Sequence, residues 1–144
     1  GGNGFIGRKL TDALLQAGFQ VRITSRREPK EQPANPAVRV VRVDYNNVPS
    51  LQKAMEGCSG VFNLAAAIFG FSRADFERAN VVAAQNVVAA ANQTPGLCTF
   101  VHVSSLAASG YAADKNNPRT EADEPKPVSD YGITKLGGKT PSKP

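Results

Sequence analysis

The chain has 144 residues, 17 Lys+Arg against 12 Asp+Glu for a net charge of +5, and 41 % apolar and 20 % charged residues. This is the composition of one globular domain with a single core, and no run approaches the roughly 20 apolar residues of a membrane span. Two cysteines (Cys58 and Cys98) and a single His102 make neither a disulfide framework nor a metal set, so a cytoplasmic protein with free thiols is expected, and the dispersed basic residues point away from nucleic acid.

The chain opens on Gly1-Gly2-Asn3-Gly4-Phe5-Ile6-Gly7 and runs straight into helical spacing over residues 5–17, with Ile6, Leu10, Leu14 and Ala17 on one face and Gly18 as the stop. Residues 19–24 predict a strand. Residues 25–36 are charged and proline-rich, hence a loop, and residues 38–43 (Val-Arg-Val-Val-Arg-Val) predict a second strand. Asn47 to Ser50 carry helix-start signals ahead of residues 51–55, with Gly57 closing. Residues 60–67 are almost continuously apolar, as in a strand covered on both faces. Helical spacing returns over residues 75–91 through Phe76, Ala79, Ala83, Val87 and Ala90; Pro95-Gly96 breaks it, and residues 99–103 predict a fourth strand. Residues 106–130 read as loop, with Pro118, Pro125 and Pro127 as breakers, before a last helix near Asp130. This alternation is that of an α/β fold with a parallel sheet and right-handed crossovers.

A glycine-rich turn feeding a helix can bring backbone N–H groups and the positive helix end up to a phosphate, with no Cβ in the way. Ser25-Arg26-Arg27 follows the first visible strand, where a dinucleotide fold meets the adenosine ribose. An acid there would bind a 2′-hydroxyl and an Arg a 2′-phosphate, so NADP is favoured and NAD is the alternative. Asp44-Tyr45 ends the next strand; its carboxylate can meet an adenine amino group or simply start a turn. Ser104-Ser105 end the fourth strand, and Tyr131 and Lys135 share one face of the last helix. A phenol titrates near pH ~10, so proton transfer near neutrality calls for a neighbouring cation, while a serine hydroxyl can hold a carbonyl oxygen.

With these residues in the order Gly1 to Gly7, Asp44-Tyr45, Phe62-Asn63-Leu64-Ala65-Ala66, Val103-Ser104-Ser105 and Tyr131-Gly132-Ile133-Thr134-Lys135, the chain resembles the NAD(P)-dependent epimerase/dehydratase family, the extended short-chain dehydrogenase/reductases. The resemblance implies a Rossmann-type doubly wound parallel sheet. Gly1, Gly4 and Gly7, with the Phe5-Ile6 backbone, would contact the pyrophosphate. Arg26 would meet the 2′-phosphate, Asp44 and Tyr45 would bracket adenine, and Leu64, Ala65 and Ala66 would line the cofactor groove. Tyr131 would be the acid/base, Lys135 would lower its pKa and hold the nicotinamide ribose, and Ser105 rather than Ser104 would orient the substrate oxygen. Asn80 is a weaker candidate for shaping the groove, and His102 reads as a packed strand residue. Ser109-Gly110 stands where many sugar-nucleotide members have Tyr-Gly, which tilts the resemblance toward the dihydroflavonol-reductase-like or steroid-dehydrogenase-like branch, with sugar epimerases second.

The expected parent activity is hydride transfer at a carbon bearing a hydroxyl or carbonyl. Nucleotide-sugar epimerisation or dehydration is the alternative with the same first step, and a non-catalytic NADP-binding sensor is the alternative of another class. The substrate would be a ketone or alcohol, or a sugar nucleotide, and a homodimeric parent is compatible. Residue 1 already lies inside the glycine motif, so the sequence reads as a fragment: a partial cofactor domain over residues 1–138 and an irregular tail over 139–144, lacking a first strand and a substrate domain. In isolation such a piece is expected to be unstable and inactive.

Overall fold

The computed structural model describes residues 1–139. Its elements follow the predicted order: α1 (Phe5–Gln16), β1 (Val21–Ser25), β2 (Val38–Arg42), α2 (Val48–Met55), β3 (Gly60–Asn63), α3 (Arg73–Phe76), a π-helical segment (Glu77–Val82), α4 (Ala83–Asn92), β4 (Thr99–His102), a 3-10 turn (Leu106–Ala108) and α5 (Asp130–Lys139). The last helix therefore takes in Lys139, while the rest of the expected tail lies outside the described residues.

The chain forms two compact units. The first combines residues 1–65 with residues 86–101. Here β1 and β2 pair in parallel, Val21 opposite Val38 through Ser25 opposite Arg42, as a crossover topology requires. Its core is Val43, Leu51, Met55, Val87, Ala90 and Ala91, with Val61, Leu97 and Phe100 packed against them. Local chemistry sets the helix limits. The Asn47 side chain accepts the Ser50 N–H at 2.9 Å to cap α2. Gly18 and Gly57 end α1 and α2 at φ +82° and +72°, a conformation open to glycine at little cost.

One expectation needs correction. The strand expected over residues 60–67 stops at Asn63. The Asn63 side chain accepts the Ala65 N–H at 3.3 Å, a local turn that competes with the strand ladder and ends it. Among the described residues β1 pairs with β2 and β3 with β4, as two two-stranded sheets. A cavity of about 840 Å³ takes up the space flanked by β1 and β3, walled by Leu10 and Leu14 of α1, Val21 and Ile23 of β1, Phe62 of β3, and Val87.

The second unit holds residues 66–85 and 102–139. The helix expected over residues 75–91 is observed, but it contains the π-helical segment Glu77–Val82, in which one extra residue per turn is accommodated. Ser72 and Asp75 form a capping box at the head of this helix.

Candidate active site

The glycine turn closes on itself in the first unit. A Cβ at Gly7 would stand 2.3 Å from the Gly1 carbonyl oxygen and 2.5 Å from that of Gly2, while one at Gly2 would meet Ile23 of β1 at 2.7 Å and one at Gly1 the Leu64 backbone at 2.5 Å. The turn is thus pressed against the ends of β1 and β3, and only glycine fits at these approaches. A Cβ at Gly4 would meet only the Gly1 oxygen, at 3.2 Å. Gly4 is the N-cap of α1 and supplies no side-chain cap, so the first-turn N–H groups of Phe5, Ile6 and Gly7 are left for an anion. These residues fit a dinucleotide pyrophosphate.

Other expected cofactor residues of this unit fall nearby in varied states. Arg26, exposed after β1, lies near the glycine turn. Asp44 is exposed, and one carboxylate oxygen accepts the Asn46 N–H at 2.9 Å, so the turn-starting role is realised. Tyr45 is more firmly tied: its hydroxyl pairs with Thr24 Oγ1 at 2.9 Å, its carbonyl accepts from Asn86 at 2.9 Å, and its ring packs on the core. Leu64 and Ala65 are half-buried beyond β3, and Ala66, which opens the second unit, is exposed.

The second unit holds the expected proton-transfer residues. Ser129 caps α5 by accepting the Gly132 N–H at 3.1 Å, and Tyr131 and Lys135 stand one turn apart on that helix. Lys135 is almost wholly buried, at 2 % exposure, and its Nζ donates to the Val103 carbonyl at 2.8 Å. An ammonium has three donors, and the Val103 carbonyl takes one of them. Burial lowers the Lys135 pKa from its ordinary value. Tyr131 is half-buried with its ring edge-on to Phe76 at 6.3 Å. Ser105 accepts the Ala107 N–H at 3.2 Å as cap of the 3-10 turn. That turn abuts α5 so closely that a Cβ on Gly132 would stand 2.4 Å from the Ala107 oxygen. Ser104 Oγ is buried without a hydrogen bond.

Two residues emerge more strongly than the sequence indicated. Asn80, 2 % exposed within the π-helical segment, accepts the Ala67 N–H at 2.8 Å, donates to the Ala67 carbonyl at 3.1 Å and to Thr134 Oγ1 at 3.2 Å. Thr134, also 2 % exposed, turns its hydroxyl to the Asp130 and Tyr131 carbonyls at 2.8 and 3.0 Å. Together they bind the loop after β3 to the helix of Tyr131 and Lys135. The signal available in the sequence was an asparagine one position from the apolar stripe through Ala79 and Ala83; Thr134 gave none.

His102 is half-buried on β4, and burial first, then the Lys135 charge, lower its pKa below 6.5. Above pH 6.5 neither state takes up a proton at this site. Between 6.5 and the lowered native value only the unfolded chain does, so stability is lost on acidification through that window. His102→Gln is therefore expected to flatten the fall in urea midpoint between pH 7.5 and pH 5; an unchanged slope would assign the pH dependence to other groups.

Residues 1–140 match the model of the NAD dependent epimerase/dehydratase family. The chain belongs to this family. Among curated relatives, a Synechocystis sp. protein bearing a dihydroflavonol 4-reductase name is 35 % identical over 117 residues, which are 79 % of this chain and 34 % of that protein. The 4-hydroxy-2-methyl-3-oxo-4-farnesyl-3,4-dihydroquinoline-1-oxide ketoreductase of Stigmatella aurantiaca is 32 % identical over 130 residues, 89 % of this chain and 37 % of the ketoreductase. Among solved structures, MoeE5 in complex with UDP-glucose and NAD is 31 % identical with a TM-score of 0.81, covering 96 % of this chain and 45 % of MoeE5. The epimerase/dehydratase chain thus spans about a third of the length of these curated relatives and shares the Rossmann-type fold of its solved neighbour. No described helix is long and apolar enough to cross a membrane.

Proposed function

We propose that the protein serves an NADP-favouring oxidoreductase that interconverts a carbonyl and an alcohol, with Tyr131 as the proton donor and acceptor. The observation that carries this reading is the buried Lys135 ammonium, fixed by the Val103 carbonyl one helical turn from Tyr131. That places a fixed cation and a phenol on one helix, the pair of groups that proton transfer to a carbonyl oxygen calls for. Ser105, on the strand-end loop packed against the same helix, is the donor for the substrate oxygen. The nicotinamide, when bound, supplies or accepts the hydride. In the reduction direction Tyr131 gives its proton to the carbonyl oxygen as an alcohol forms, and solvent restores that proton.

For the cofactor, the support is Arg26 beside the glycine turn with no acid at the end of β1. Arg26→Ala is expected to weaken NADPH binding by about tenfold, one lost charge-assisted phosphate contact, with NADH affinity unchanged. Equal losses for both nucleotides would remove the 2′-phosphate role. A second reading, a nucleotide-sugar epimerase or dehydratase, is supported by the likeness to MoeE5, whose structure holds UDP-glucose and NAD. The full-length polypeptide assayed for NADPH oxidation with ketones and with sugar nucleotides separates the two. Tight NADPH binding with turnover of neither would leave a sensor and overturn the enzyme reading.

A further inference from the structure

The first unit has a second cavity, of about 430 Å³, walled by residues of β1, β2 and α2. It shares Arg22, Arg39 and Ala54 with the larger cavity, but no residue of the glycine turn borders it. Its walls are strongly basic. Arg22, Arg39, Arg42 and Lys53 line it against a single carboxylate, that of Glu56.

The strand register concentrates this charge. Arg22 on β1 lies directly opposite Arg39 on β2, and like charges facing each other across a ladder destabilise it. The surrounding structure leaves that charge in place. Arg22 Nη1 donates to the Ala54 and Glu56 carbonyls at 2.7 and 2.9 Å, which fixes the guanidinium at the end of α2 without neutralising it. Among the described residues, Arg39, Arg42 and Lys53 form no ion pair. An anion seated here relieves a repulsion built into the register. It also meets one guanidinium already held in position, so less side-chain freedom is lost on binding.

The walls narrow the ligand further. Arg39 and Arg42 stand three residues apart on β2, roughly 10 Å along a strand, a span that one phosphate does not bridge. None of the described residues lining the cavity is aromatic, so a nucleic-acid base has nothing to stack on. The volume is that of a site for one small molecule, and guanidinium forks match phosphate oxygens in pairs.

We propose that this cavity is a second anion site, which takes a small compound bearing two or more phosphate groups and holds it with Arg22, Arg39, Arg42 and Lys53. It is distinct from the dinucleotide site at the glycine turn, and it stands independently of the oxidoreductase reading.

The test titrates pyrophosphate by calorimetry into the full-length polypeptide saturated with NADPH, which keeps the glycine turn occupied. Saturable binding is expected, with orthophosphate and citrate weaker by at least about tenfold. Arg39→Gln and Lys53→Gln should each weaken pyrophosphate by about tenfold, the loss of one charge-assisted contact. Lys30 is exposed outside the cavity, and Lys30→Gln should leave the affinity unchanged. Thermal melts check that each variant is folded, and should one cavity variant fail, the other carries the comparison. An equal loss in Lys30→Gln would reduce the effect to net charge and overturn the site. Absence of binding, full affinity in the cavity variants, or citrate bound as tightly as pyrophosphate would each overturn it as well. Release of NADPH as pyrophosphate is added would place the binding at the glycine turn instead. Tighter binding of an oligothymidylate than of pyrophosphate would overturn the proposal by giving the face to single-stranded nucleic acid.

Discussion

Tyr131→Phe is expected to lower turnover in the full-length polypeptide by about 10²–10⁴-fold, the range for removal of a positioned general acid, with NADPH affinity unchanged. Phenylalanine keeps the ring, and so keeps the edge-on contact with Phe76 and the half-buried place on α5. Only the hydroxyl is lost. The main structural tie of this helix turn does not run through that hydroxyl: Thr134 bonds to the Tyr131 carbonyl, and Lys135 to Val103. The fold and the cofactor site should therefore survive, and kcat should carry the whole effect while KM stays near its starting value. Lys135→Met makes a sterner companion, because it also leaves the Val103 carbonyl without its donor. Comparing kcat, KM and NADPH affinity for the two variants tests the assignment, and near-normal turnover in Tyr131→Phe would move the proton to another group.

Gly7→Ala has the second large expected effect, and it acts through shape alone. The added methyl would lie 2.3 and 2.5 Å from two backbone oxygens, those of Gly1 and Gly2. Backbone cannot swing aside as a side-chain tip can, so the turn has to open. Overpacking of this kind costs about 1–3 kcal/mol, and opening the turn also removes the N–H cradle. The expected outcome is a lowered Tm together with at least about a hundredfold loss of NADPH affinity, since several phosphate contacts go at once. Gly4→Ala is the control. Its methyl would meet one oxygen at 3.2 Å, so the Tm should fall far less. Equal behaviour of the two variants would show that the close approach at Gly7 does not set the turn.

What was legible in the sequence was what local chemistry determines. Gly18 and Gly57 mark helix ends because their φ is positive, and the Asn47 cap and the glycines of the first turn follow from hydrogen bonding and steric room at neighbouring positions. Tyr131 and Lys135 share a face because a helix repeats every 3.6 residues. The errors lie where a distant or competing partner decides. Asn63 reads as a tolerable interruption of an apolar strand, yet its own side chain closes a turn on Ala65 and cuts the strand short. Helical spacing through Ala79 and Ala83 conceals the π-helical segment, since one extra residue hardly alters the apolar stripe. Asn80 earns its place through Ala67 and Thr134, 13 and 54 residues away, which no local pattern encodes.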